Sequence, residues 1–109
     1  MTAMDDETPR FGYGRGQRPL WTVRDRNAEN MRQALRKAGF RDFDERHLDG
    51  FAVEGANSSL DGDEPYLVTY CADAPQPGVL QRYAATLTGA GFTVAADPDD
   101  VEHCLEVRP

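Results

Sequence analysis

No stretch of the 109-residue chain runs to more than three consecutive apolar residues; Phe51-Ala52-Val53 and Tyr66-Leu67-Val68 set the limit. A membrane-spanning helix takes about 20 such residues, and the apolar region of a signal peptide about 7 to 15. The start, Met1-Thr2-Ala3-Met4-Asp5-Asp6-Glu7, is acidic where a secretory leader is basic, so the expectation is a protein that stays in the cytoplasm. Cysteine is equally scarce. Cys71 and Cys104 stand 33 positions apart, and a secreted domain of this size more often carries a denser disulfide framework, so both read as reduced, partly buried thiols. A single lysine stands beside eleven arginines, a bias that suggests a GC-rich coding genome, bacterial or phage.

Patterns that carry catalysis or metal binding are missing too. There is no Gly-x-Ser-x-Gly elbow, and of the two histidines, His47 and His103, the first leaves a pairing with Cys71 or Cys104 open but reads as a solvated side chain in a polar segment. His103 and Cys104 are neighbours on an expected strand, so their side chains point to opposite faces. Four potential zinc ligands exist, but without Cys-x-x-Cys or His-x3-His spacing. Asp61-Gly62-Asp63-Glu64 and Asp97-Pro98-Asp99-Asp100 lack the spaced oxygens and closing glutamate of a calcium loop and read as solvated turns. Gly12-Tyr13-Gly14-Arg15-Gly16 has neither the Lys-Ser/Thr of a phosphate loop nor a strand before it. The expectation is a non-enzymatic protein that needs no cofactor and no metal.

What is present is enough for one folded domain: 39% apolar residues, ten aromatics and a net charge of −7. The charge is unevenly placed. Between Thr8 and Arg41 nine basic residues face two acidic ones, an excess of seven positive charges; from His47 onward two arginines face eleven carboxylates, an excess of nine negative ones. Such asymmetry points to an interaction surface or to two halves that neutralise each other.

An internal echo organises the rest. Ala34-Leu35-Arg36-Lys37-Ala38-Gly39-Phe40 returns 52 residues later as Thr86-Leu87-Thr88-Gly89-Ala90-Gly91-Phe92, and each copy reads as a helix stopped by glycine. At the same offset Phe51–Glu54 stands against His103–Glu106. One helix is expected from about Ala28 to Ala38, with Ala28, Met31, Leu35 and Ala38 on its apolar face and Asn27 or Asp25 as cap. A second, about Pro77 to Thr88, turns Leu80, Tyr83, Ala84 and Leu87 inward after a proline-rich approach. Strands are expected at Leu20–Arg24, Phe51–Gly55, Tyr66–Cys71 and Phe92–Ala95, with an additional C-terminal one at about Glu102–Val107. The resulting β-α-β-β-α-β order is that of an α+β ferredoxin-like sandwich built from two βαβ halves. Residues 1–18 read as a flexible N-terminal arm and 19–109 as a single α+β domain.

Two binding readings follow. In the first, the protein is an adaptor that meets a protein partner or a second copy of itself through the arm and the second helix. Arg82 is the only charge between Ala74 and Ala96, and the small neutral residues Gln81, Ala85 and Thr88 fall on that helix's outer face. In the alternative, Arg10, Phe11, Tyr13, Arg15 and Arg18 of the arm, extended by Arg32 and Arg36, hold single-stranded nucleic acid by charge and stacking. The acidic second half and the absence of a Lys/Arg-Gly-aromatic strand signature weigh against the alternative. Paired βαβ units can also hold small metabolites between subunits, but no residue here specifies one.

Overall fold

Thr22 starts the first helix. The computed structural model describes residues 8–44, 49–55, 64–73 and 76–109, and in it helix α1 spans Val23–Lys37. The Asp25 backbone N–H donates to Thr22 Oγ1 at 3.0 Å, while Asp25 Oδ2 accepts from the backbone N–H groups of Trp21 and Thr22 at 2.9 and 3.3 Å. This reciprocal cap satisfies donors that a helix start leaves open and contributes about 1 kcal/mol. The strand expected at Leu20–Arg24 is therefore absent. Its β-branched Thr22 and Val23 serve as a cap and a first helical residue, and the cap lies upstream of the expected Asp25 or Asn27. Ala28, Met31 and Leu35 are buried as their spacing requires, whereas Ala38 is an exposed C-cap.

Helix α2 spans Val79–Gly89, two residues beyond the expected start at Pro77, because Gly78 takes a left-handed conformation and turns the chain into the helix. The echo at the two helix ends is a repeated backbone device. Phe40 N–H donates to Leu35 O at 3.0 Å and Gly39 N–H to Arg36 O at 2.9 Å; Phe92 N–H donates to Leu87 O at 3.0 Å and Gly91 N–H to Thr88 O at 3.1 Å. Gly39 and Gly91 have φ of 96° and 99°, which a side chain would strain, and each following Phe folds back onto the core.

The strands are β1 (Gly50–Glu54), β2 (Tyr66–Cys71), β3 (Thr93–Ala96) and β4 (Cys104–Arg108). They form one fully antiparallel sheet in the order β1-β2-β4-β3, with Phe51 opposite Tyr70, Val68 opposite Leu105 and Val94 opposite Val107. The element order is thus α-β-β-α-β-β. This corrects the expected order of two βαβ halves: each half is a helix followed by a hairpin, and the C-terminal strand sits centrally between β2 and β3. The offset of 52 aligns β1 with β4, yet β1 is an edge strand and its structural counterpart is β3. The layering of two helices on an antiparallel sheet is that of a small α+β domain and is compatible with a ferredoxin-like sandwich.

Alternate strand residues, including Phe51, Tyr66, Val68, Leu105 and Val107, meet Met31, Leu35, Val79, Tyr83 and Leu87 of the helices. Tyr83 is the hinge of an aromatic cluster, edge-on to Phe40 at 4.8 Å, Tyr70 at 6.2 Å and Phe51 at 6.3 Å between ring centres. Among the described residues no helix is long and apolar enough to cross a membrane.

Candidate functional site

Thr8–Leu20 folds back on itself over α1. Phe11 N–H donates to Leu20 O at 3.0 Å and Leu20 N–H to Gly12 O at 2.9 Å, Tyr13 bridges Pro19, and Arg15–Gln17 makes a single 3-10 turn between them. The Phe11 ring lies between the guanidinium groups of Arg10 and Arg26, at 5.2 and 5.0 Å. Gly14 rests on the buried Glu29 carboxyl so closely that a Cβ there would come within 2.7 Å of Glu29 Cδ.

Glu29 is the hub under this segment. It is 2% exposed and accepts from Arg32 Nη1 at 3.0 Å, from Arg36 Nη1 at 3.0 Å and from the Arg15 backbone N–H at 3.2 Å. Arg36 also forms a two-pronged pair with Asp42 at 2.7 Å on each side, and Arg15 Nη1 lies 4.0 Å from Asp42. Burial raises the Glu29 and Asp42 pKa values, but these donors outweigh it and hold both carboxyls below their ordinary range. The hydrogen bond to Asp42 holds the Arg36 guanidinium above its ordinary value, against the opposing pull of burial.

Two arginines assigned to a basic contact surface therefore have internal work, while the Arg15 side chain stays exposed with Asp42 at 4.0 Å. Arg32 is 6% exposed, not on the outer helix face, and Arg36 is tied to two carboxylates. Their side chains follow α1 around to the flank where the returning segment lies. Arg10 and Arg18 remain exposed, and so do the rings of Tyr13 and Trp21. In the sequence Glu29 reads as a first-turn acid that complements the helix dipole; with arginines three and seven positions on, it also lies on one helical stripe, which is the signal for such a network.

On α2 the expected outer face is present: Gln81, Ala85 and Thr88 are all exposed. The concavity beside it takes in Gln81 from that face. Leu80 and Ala84 form one wall and Val101 and Leu105 the other, closing a groove of about 590 Å3 with Pro77 at one end. Tyr70 forms part of the lining, and its hydroxyl is the single fully buried side-chain polar atom without a hydrogen-bond partner among the described residues. Val101 is 60% exposed, and His103 at the rim holds Asp100 at 3.0 Å. Sequence reasoning missed the groove because its second wall comes from the turn before β4.

Burial, which disfavours a thiolate, pushes the thiols of Cys71 and Cys104 up, with nearby carboxylates adding to the effect. Cys104 takes a hydrogen bond from Thr69 Oγ1 at 3.6 Å instead of meeting a histidine. Among the described residues no three His, Cys, Asp or Glu side chains gather to hold a metal ion; His47 lies outside those residues. No protein-family model, curated protein or solved structure matches the chain.

Proposed function

We propose that this protein is a small non-enzymatic adaptor of the cytoplasm that works by protein–protein contact, with the groove between α2 and β4 as its main docking site. The fold reading that accompanies it is a ferredoxin-like sandwich in which the C-terminal β4 stands where the first strand would. The observation that carries the proposal is the groove itself. Leu80, Ala84, Val101 and Leu105 make its walls apolar, with Glu102 and His103 beside them in the lining, and the adjoining Gln81, Ala85 and Thr88 of the helix face are neutral. A partner that inserts an apolar side chain removes that surface from water. The partner is a different protein or a second copy of this chain.

Purification of the tagged protein from its host, with and without nuclease, tests the proposal when wild type is run beside Val101→Glu and Ala85→Arg. A partner that survives nuclease and is lost with Val101→Glu is the expected result. A carboxylate in an apolar contact should weaken binding about 30-fold or more. A partner retained by both variants at wild-type levels removes α2 and its groove from consideration.

The alternative, single-strand nucleic-acid binding, is favoured by the exposed Tyr13 and Trp21 rings beside Arg18. It has lost part of its charge, since Glu29 and Asp42 already hold Arg32 and Arg36. Its test is the salt dependence of single-strand binding in Arg10→Ala and Arg18→Ala, which should flatten if these residues meet phosphates.

A further inference from the structure

A second cavity, of about 730 Å3, opens where the returning N-terminal segment, the start of α1 and the end of β1 meet. Arg18, Leu20, Trp21, Arg32 and Val53 line it, and the carboxylates of Asp25 and Glu54 also border it. Arg32 is the unusual member. It is 6% exposed, yet its one hydrogen bond among the described residues runs from Nη1 to Glu29. Its other guanidinium donors are not sealed off, since Tyr70 Oη is the single fully buried side-chain N or O atom without a partner among those residues. The cavity is open space that Arg32 borders. Burial and the neighbouring charge of Arg18 both disfavour the Arg32 cation and lower its pKa. Arg18 has no carboxylate within ion-pair distance among the described residues.

We propose that this cavity binds a compact oxyanion, a small-molecule carboxylate or phosphate monoester, between Arg18 and Arg32 with its organic body against Trp21. Two guanidinium groups of like charge repel each other when the space between them is empty, and an oxyanion there converts that repulsion into two charge-assisted contacts. Glu29 holds Arg32 in place beforehand, so little side-chain freedom is lost on binding. Trp21 is 47% exposed and offers an apolar wall. The carboxylates limit the charge the site tolerates. Asp25 is turned toward backbone donors at the helix cap, but Glu54 is exposed at the end of β1 and repels a polyanion. A single acidic head fits this balance; a polyphosphate or a nucleic-acid strand does not. The inference stands apart from the α2 groove and does not depend on it.

Trp21 is the one tryptophan in the chain, so its fluorescence and its indole N–H resonance report on this cavity without ambiguity. The probes are phenyl phosphate, phenylacetate and the neutral phenylacetamide, titrated into wild type, Arg18→Gln and Arg18→Lys. At least one acid should shift the Trp21 signals saturably while phenylacetamide does not. Arg18→Gln should weaken that acid about tenfold or more and Arg18→Lys less. Because Arg18 is exposed, neither variant should alter the melting temperature, and preference between the two acids assigns the source as phosphate or carboxylate. The proposal is overturned if neither acid shifts Trp21 up to its solubility limit, if phenylacetamide shifts it equally, or if Arg18→Gln binds as wild type does. It is also overturned if a single-stranded oligonucleotide at low salt binds more tightly than either acid and displaces it.

Discussion

Glu29 shows how much one residue can decide. A carboxylate inside a domain is costly unless its charge is met, and here two guanidinium groups and one backbone donor meet it. Glu29→Gln keeps the shape but leaves Arg32 without its counter-charge, so a loss of about 3 kcal/mol in denaturant unfolding at pH 7 is expected. The same network sets a pH dependence. Glu29 and Asp42 have ordinary values of 4.5 and 3.8 and are lowered on folding, so the stability they add is complete above about pH 4.5. It drains away as pH falls through the lowered folded values. Urea unfolding of wild type at pH 7 and pH 3 should show that loss, and Glu29→Gln should show less of it. An identical acid slope in both proteins would remove Glu29 from the account.

At the scale of elements, capping outweighed strand propensity. Leu20-Trp21-Thr22-Val23-Arg24 reads as a strand on composition, but Thr-x-x-Asp places a reciprocal cap inside it and the helix begins there. Thr22→Ala should lower stability by about 1 kcal/mol, measured by thermal melting, with the fold retained. No measurable change would mean that packing alone sets the helix start. The glycine stops were legible because Gly39 and Gly91 each stand one residue before a Phe that returns to the core. The strand after the second stop was legible too, but the chain after the first was not. Thr93 goes straight into β3, whereas Arg41–Phe43 makes a short parallel contact with Phe51 before β1 begins. That contact crosses Gly50 so closely that a Cβ there would meet Arg41 O at 2.5 Å.

For the whole molecule, the decisive feature is the position of β4 between β2 and β3. An extra strand at an edge is dispensable, but a central one carries two hydrogen-bonded ladders and the buried Leu105 and Val107. Deletion of residues 104–109 should abolish cooperative unfolding in circular dichroism. A truncated chain that still melts cooperatively would show that β4 is peripheral.

Composition and local pattern by themselves determined the α+β class, both helices, four of the five expected strands and the exposure of Gln81, Ala85 and Thr88 on α2. These depend on periodicity, β-formers and glycine punctuation, which act within a few residues. Only the tertiary structure decided where β4 lies, that Arg32 and Arg36 turn inward to Glu29, that Val101 and Leu105 complete a groove with Leu80 and Ala84, and that Arg18 and Arg32 share a cavity with Trp21. Each of these joins residues distant in the chain or turns a polar side chain toward a neighbour, and hydrophobic periodicity carries no information about either.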